Sequence, residues 1–280
     1  MYITIKRKDS VSSILLFIFN VFLVQRGITA IPLKKIFQIL EPFQKNETAI
    51  RMGLSREIQN GLLINKKDRG EVFYHLTATA IEGFKYWMKT MDYDHERLQT
   101  QLNEWHGIWS IIAITEQTGN PAPELSQNLQ ANSYGLLNKT TWISPYNRPE
   151  FIQQLLAKHS LGQKLYAFET RLSSTTPQEL ASSVWPIAEL NQCYHRFYDA
   201  LEHDNAGLDL NSFNGGGGLP FLYHYGLEFF EIIQDDPRLP LSILPDNWQG
   251  LKAGKAFQSF RERVFPQVNA FVQQIIESGR

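Results

Sequence analysis

Between Pro32 and Leu76 the apolar residues change period, and that switch restricts the chain more than any other feature. Leu33, Ile36, Phe37 and Leu40 recur at helical spacing behind Pro32, a residue suited to the first turn of a helix. Glu41-Pro42-Phe43 ends that stretch, because a residue that precedes proline avoids the α region. Asn46, a favoured N-cap, opens the next helical pattern, with acidic Glu47 in its first turn and Ala49, Ile50, Leu54 and Ile58 on its apolar stripe. Gly61 closes it. From Leu62 the period falls to two: Leu62-Leu63-Ile64 begins a strand, Lys66 to Glu71 form a basic turn, and Val72-Phe73-Tyr74-His75-Leu76 returns. Upstream, Ser12 to Leu23 predicts one further helix, stopped at Gln25-Arg26-Gly27. Downstream, Thr77 caps a helix that carries Ile81, Phe84 and Trp87.

The chain has 280 residues, enough for two or three domains. A charged, helical connection covers Thr90 to Leu102. Strand and helix then alternate: Trp109 to Thr115 extended, Pro123 to Ser133 helical, Trp142 to Ser144 extended, Arg148 to His159 helical, Leu165 to Leu172 extended. Such alternation fits a small α/β or ferredoxin-like unit. Beyond Pro177 the strand signals stop. Leu180 to Leu201 reads as one long amphipathic helix, Asn205 to Gly218 as a loop, and Leu219 to Ile233 and Leu251 to Ile276 as further helices. The expectation is an α+β protein in three parts. Residues 1–90 form a winged helix-turn-helix, 91–176 a ferredoxin-like middle domain, and 177–280 a helical domain.

Charge is divided along the chain. Residues 1–90 hold 14 Lys and Arg against 7 Asp and Glu, a net of +7, whereas residues 91–280 carry a net of −8. A basic front points to a polyanion as its partner. Ile14 to Val24, eleven residues behind Lys6, Arg7 and Lys8, imitates a secretory leader but is far shorter than the ~20 residues that cross a bilayer. It reads as a buried first helix, and no membrane association is expected. The single cysteine, Cys193, forms no intramolecular disulfide, which fits a reducing cytoplasm. Its neighbour His195 diverges from it on a helix, so the two read as a core thiol beside a surface histidine. The chain displays no phosphate-cradling loop ending in Gly-Lys-Ser/Thr, no His-Glu-x-x-His and no Gly-x-Ser-x-Gly. Neither an enzymatic site nor a metal or other cofactor is expected.

If Ile50 and Leu54 face the core, Asn46, Thr48, Arg51, Met52 and Ser55 face outward, where a recognition helix meets base edges in the major groove. Lys34, Lys45 and Arg56 are placed for phosphates, and Lys66, Lys67 and Arg69 for a backbone or minor-groove contact from the hairpin tip. Arg51 could instead pair with Glu47, four residues earlier. The aromatic residues are mostly core. A subset, Trp105, Trp142, Tyr194 and Tyr223 with His224, could line a ligand pocket, and Arg171 and Arg196 could meet an anionic group on the ligand.

These segments resemble the PaaX family, regulators of phenylacetic-acid degradation operons. The resemblance runs through Gln25-Arg26-Gly27, Leu40-Glu41-Pro42-Phe43, Ala49 to Arg56, Gly61-Leu62-Leu63 and Phe73 to Thr77. It continues through Trp105 to Ser110, Gly135, Trp142 to Pro145, Trp185-Pro186-Ile187, Tyr194, His224, Asp236 to Pro240 and Leu244 to Trp248. Two places differ. Thr48 stands where an arginine is common, and Tyr225-Gly226-Leu227 stand where an acidic residue, an aromatic and an arginine are expected. The resemblance implies a winged-helix domain, a middle domain similar to a small CRISPR-adaptation nuclease fold, and a helical C-terminal domain. It implies a homodimer on a double-stranded operator that represses until an aryl-acyl-CoA, typically phenylacetyl-CoA, binds. The first middle strand, Ile108 to Ile114, has no carboxylate for a metal, so the nuclease likeness carries no nuclease activity. An enzyme acting on an acyl-CoA, or a winged-helix module used only for protein contacts, are the alternatives.

Overall fold

The computed structural model describes residues 10–85, 105–115, 123–158, 164–206 and 216–278. Trp87, the 90–102 connection, Lys6 to Lys8 and most of the expected 205–218 loop lie outside the described residues. The chain is mixed α/β with two small antiparallel sheets, and its parts gather into two compact units that interleave along the sequence. Unit one takes residues 1–94, 196–231 and 252–280; unit two takes 95–195 and 232–251.

Unit one begins with α1, Val11–Ile18, whose N-cap Ser10 accepts from the Ser13 amide at 3.1 Å. The apolar run stays helical but not α-helical to its end: Phe19–Leu23 is a π-helical turn and Val24–Arg26 a 3-10 turn, stopped by Gly27 at φ +69°. Ser12 to Asn20 are all buried, as a helix that is apolar on every side requires. A short strand unforeseen in the sequence, β1 (Ala30–Pro32), follows, then α2 (Leu33–Leu40), a 3-10 turn (Glu41–Phe43) and α3 (Glu47–Gln59). β2 (Leu63–Asp68) and β3 (Glu71–Leu76) form the hairpin, and β1 joins its far side to give the order β1-β3-β2. The basic stretch read as a turn is mostly strand. Lys66 and Lys67 pair with Phe73 and Val72, and only Arg69 and Gly70, at φ +46° and +87°, make the reversal. Two left-handed residues are what a tight two-residue hairpin demands. Helix α4 begins behind Thr77, whose hydroxyl accepts from the Ala80 amide at 3.2 Å, and is described over 78–85.

Unit two holds β4 (Trp109–Thr115), α5 (Pro123–Ala131), β5 (Gly135–Asn138), β6 (Thr141–Ser144), α6 (Pro149–Lys158) and β7 (Lys164–Thr170). Its strands lie in the order β5-β6-β4-β7, all pairs antiparallel. One sheet face buries Ile112, Ile114 and Trp142 with Leu125, Leu129 and Leu155 from α5 and α6. Trp109 and Ile143 pack with Ala181, Trp185 and Leu239 in a second core.

The long helix expected over Leu180 to Leu201 is two helices. α7 (Pro177–Val184) stops at Trp185, which is extended at φ −122°, ψ 148°, and α8 (Ile187–Ala206) restarts behind Pro186. The proline lacks an N–H and forces its predecessor out of the α region. A full capping box starts α7: the Glu179 amide donates to Thr176, and the Thr176 amide donates to Glu179 at 2.9 Å. The Thr175 hydroxyl, the larger influence, and Thr176 hold the Glu179 carboxyl below its ordinary range. This contribution is present above the unfolded carboxyl's pKa and is lost as pH falls through the folded one. The chain ends in α9 (Gly218–Asp235) and α10 (Gly250–Glu277). In unit one, Phe197 of α8, Phe229 of α9 and Phe257 of α10 meet with ring centroids 4.6–6.0 Å apart.

Gly135 gives a direct check on the packing of unit two. A Cβ there would sit 2.3 Å from Val184 Cγ1 and 2.5 Å from the Trp185 ring. Gly135→Ala therefore lowers stability by ~1–3 kcal/mol, the ordinary cost of overpacking, read as a lower urea midpoint at unchanged slope.

Candidate nucleic-acid interface

Helix α3 is built with one apolar and one polar side. Ile50, Gly53, Leu54 and Glu57 face inward and are buried, while Glu47, Thr48, Arg51, Met52, Ser55 and Arg56 are exposed. Gly53 matters for depth: a Cβ there would stand 2.8 Å from the Val11 side chain, so the glycine lets α3 lie close on α1. The helix starts rigidly. The Asn46 side-chain oxygen accepts from the Ala49 amide at 2.8 Å, and its carbonyl accepts from the Ile50 amide at 3.1 Å. An asparagine that reads adenine needs both its amide oxygen and its amide nitrogen. The oxygen of Asn46 makes the cap, and the exposed Asn46 stands at the head of the outward row formed with Thr48, Arg51, Met52 and Ser55.

Arg51 has two neighbours. Its Nη2 lies 3.7 Å from a Glu47 carboxylate oxygen, and its guanidinium carbon lies 5.2 Å above the Phe37 ring of α2. The ion pair foreseen as the alternative to base reading is present, but it is long and exposed on both sides, and such pairs contribute little. Phe37 was read in the sequence only as part of the apolar stripe of α2. Its ring also gives the guanidinium a flat support, an arrangement that suits arginine's planar head. Met52 is the most exposed large apolar residue of the chain's described part, at 61%. An apolar side chain on such a face matches the thymine methyl in the major groove.

The hairpin supplies a second surface. Residues 64–71 are exposed on both faces of the ribbon, so its tip stands clear of the core. Lys66, Lys67 and Arg69 lie there, with Asp68 opposite Glu71. Lys34 is exposed on α2, and Lys45 is half-buried just ahead of α3. Other cations of the basic front serve the fold: Arg26 donates to the Phe22 carbonyl at 2.6 Å and to the Asn269 side chain, and Lys35 donates to the Ile276 carbonyl at 2.5 Å.

The residues expected to hold an effector are divided between the two units. In unit two, Trp142 is a 2%-exposed core residue, and Trp105 donates its indole N–H to the Ile108 and Pro145 carbonyls at 3.1 and 3.2 Å. The Tyr194 hydroxyl donates to Asp236 at 2.6 Å, and Arg171 donates to the His106 carbonyl at 2.7 Å. These contacts tie loops to the unit. Arg196 lies exposed on α8 in unit one. Tyr223 and His224, on α9, line a cleft together with Pro42, Phe43, Gln44 and Lys45. Phe43 and Gln44 were missed in the sequence, where Glu41-Pro42-Phe43 read only as a helix stop. Among the described residues no group of three or more His, Cys, Asp or Glu is placed to hold a metal ion, and no helix is long and apolar enough to cross a membrane.

Three family descriptions match the chain in series. Residues 10–80 match PaaX-like protein, residues 102–183 the PaaX protein central Cas2-like domain, and residues 185–274 the PaaX-like protein C-terminal domain. The Transcriptional repressor PaaX of Escherichia coli (strain K12) is 21% identical over 245 residues, which cover 84% of this chain and 75% of that protein. Among solved structures, the Uncharacterized protein Rv0674 from Mycobacterium tuberculosis superposes with a TM-score of 0.59 at 21% identity, over 94% of this chain and 97% of that one. At that identity the structural likeness speaks for the fold.

The cap at Asn46 is testable without knowing any ligand. Asn46→Ala costs about 0.5–2 kcal/mol of stability, and Asn46→Asp, which keeps the acceptor, restores most of it. Chemical denaturation of the two variants beside the parent measures both.

Proposed function

Since the chain belongs to the PaaX family, we propose that it is a DNA-binding transcriptional repressor. Its operating form is a homodimer on a near-palindromic operator in the cytoplasm, released by an aryl-acyl-CoA such as phenylacetyl-CoA. The reading divides the chain into a winged helix-turn-helix over residues 1–90, a ferredoxin-like part over 91–176 and a helical sensing and dimerising part over 177–280. The element order of the front, three helices and a hairpin, supports the first assignment. The β-α-β-β-α-β order of β4 to β7, with β4 and β6 central, supports the second.

One observation carries the DNA reading: a capped helix presents Thr48, Arg51, Met52 and Ser55 on its exposed side, in the same front segment as a cationic hairpin tip. A helix of that kind fits the major groove and reads base edges through its outward side chains, while the tip's Lys66, Lys67 and Arg69 meet the backbone or minor groove. Lys34, Lys45 and Arg56 add phosphate contacts, which hold register but carry no sequence information. Two half-sites read by a dimer multiply a modest single-module affinity. Release by a ligand requires that the ligand favour the conformation that binds DNA poorly, and DNA then weakens the ligand by the same factor.

The experiment is selection of bound DNA from a random pool, followed by titration of the selected site at several salt concentrations. The log–log slope is about −0.9 per phosphate contact. Lys66→Ala with Lys67→Ala weakens all sequences alike, whereas Arg51→Ala costs ~1–3 kcal/mol and relaxes preference at one position. Unchanged affinity and site preference in Arg51→Ala would remove α3 as the reading helix.

Assembly and release are checked on the same material. Light scattering reports a dimer at micromolar concentration, and phenylacetyl-CoA displaces the selected DNA with a coupling of ~1–3 kcal/mol. A monomer both on and off DNA contradicts the dimer; DNA affinity indifferent to phenylacetyl-CoA contradicts that effector.

A further inference from the structure

The outward side of α3 divides into two lines of residues at helical i, i+4 spacing. Glu47, Arg51 and Ser55 form one, and Thr48, Met52 and Arg56 form the other; all are exposed. Side chains at that spacing lie one above the other on a helix. The first line is polar throughout, and its acid and base approach to 3.7 Å. The second sets a methyl-bearing hydroxyl residue, a thioether and a guanidinium in succession, with no acid among them.

Met52 is the member of this face that packing does not account for. Its side chain is 61% exposed, while Ile50, Gly53 and Leu54 make the buried side of the helix. Among base edges in the major groove the apolar group is the C5-methyl of a pyrimidine, and the remaining positions offer donors and acceptors. Thymine carries that methyl, and so does 5-methylcytosine. A thioether is complementary to it. The sulfur is only a weak acceptor, so its desolvation costs little, and its unbranched, flexible stem adapts to irregular apolar surfaces. Arg51 on the neighbouring line offers the opposite contact, N–H donors in a fork that suits guanine, with its guanidinium carbon 5.2 Å above the Phe37 ring. The two lines therefore offer one helix two kinds of recognition, polar and methyl-directed.

We propose that Met52 makes α3 a reader of the pyrimidine 5-methyl group, so that one position of the bound site must carry that methyl, on thymine or on methylated cytosine. The inference rests on the DNA-binding reading above and adds what the helix recognises besides hydrogen-bonding edges. It also gives the chain a further response. Methylation of a cytosine at that position raises affinity, although the base keeps every donor and acceptor it had.

The test takes the DNA selected by the full chain and replaces each thymine by deoxyuridine in turn, which removes a single methyl and leaves the hydrogen-bonding edge intact. One position should lose roughly fourfold in affinity, the equivalent of about 0.8 kcal/mol for one buried carbon. That loss should persist in Met52→Leu, which keeps an apolar tip, and vanish in Met52→Gln, which does not. Both changes fall at an exposed position, and each variant is first matched to the parent's melting profile. At the same position, 5-methylcytosine should bind roughly fourfold tighter than cytosine. Neutral deoxyuridine at every position, a loss that survives in Met52→Gln, or equal binding of cytosine and 5-methylcytosine would overturn the inference. The two proposals separate cleanly. Any of these results on a specifically selected sequence removes methyl reading by Met52 and leaves the DNA-binding reading standing; a chain that binds no DNA removes both.

Discussion

Burial of α1 is the constraint on which unit one depends. A helix made of Ile14, Leu15, Leu16, Phe17 and Ile18 cannot leave any side in water, so elements distant in sequence must surround it. α3 approaches it at Gly53, Phe17 contacts Tyr223 of α9, and Phe22 stacks on Phe265 of α10 at 5.7 Å. The helix that carries the candidate base-reading side chains and the helices that end the chain therefore share one apolar axis.

Much of the fold was legible because period and punctuation agreed. The bounds of β4 match the expected Trp109 to Thr115, and α3 starts behind the cap that Asn46 announced. What escaped had a physical reason each time. β1 spans three residues and β5 four, too short for alternation to register, although β-branched Ile28, Thr29 and Ile31 just past Gly27 were a usable signal for β1. The break at Trp185-Pro186 was hidden because apolar positions continue at helical spacing on both sides of it. At the candidate site, the outward row of α3 follows from the stripe of Ile50 and Leu54. The cap's hold on Asn46, the ring of Phe37 beneath Arg51 and the cleft at Phe43 do not, since they depend on packing between residues that periodicity treats independently.

The positive charge of the front divides by task. Arg26 and Lys35 end on carbonyl and amide oxygens of neighbouring helices and fasten α10. Arg26 stays exposed and Lys35 half-buried, so their heads are held by acceptors rather than by burial, whereas the hairpin cations lie exposed near its tip. Net charge alone cannot make that distinction; it follows from which heads find acceptors within the fold.

The π-helical turn at Phe19–Leu23 has a bearing on how this axis serves two sets of neighbours. Such a turn holds one residue more than an α-helix would in the same rise, and one residue corresponds to about 100° of rotation. The segment ahead of it presents Val11 and Leu15 to α3; Phe22, within the turn, and Arg26, behind it, reach α10. A single extra residue has thus been absorbed as a phase shift, so one continuous rod addresses partners on different sides without a loop to interrupt it.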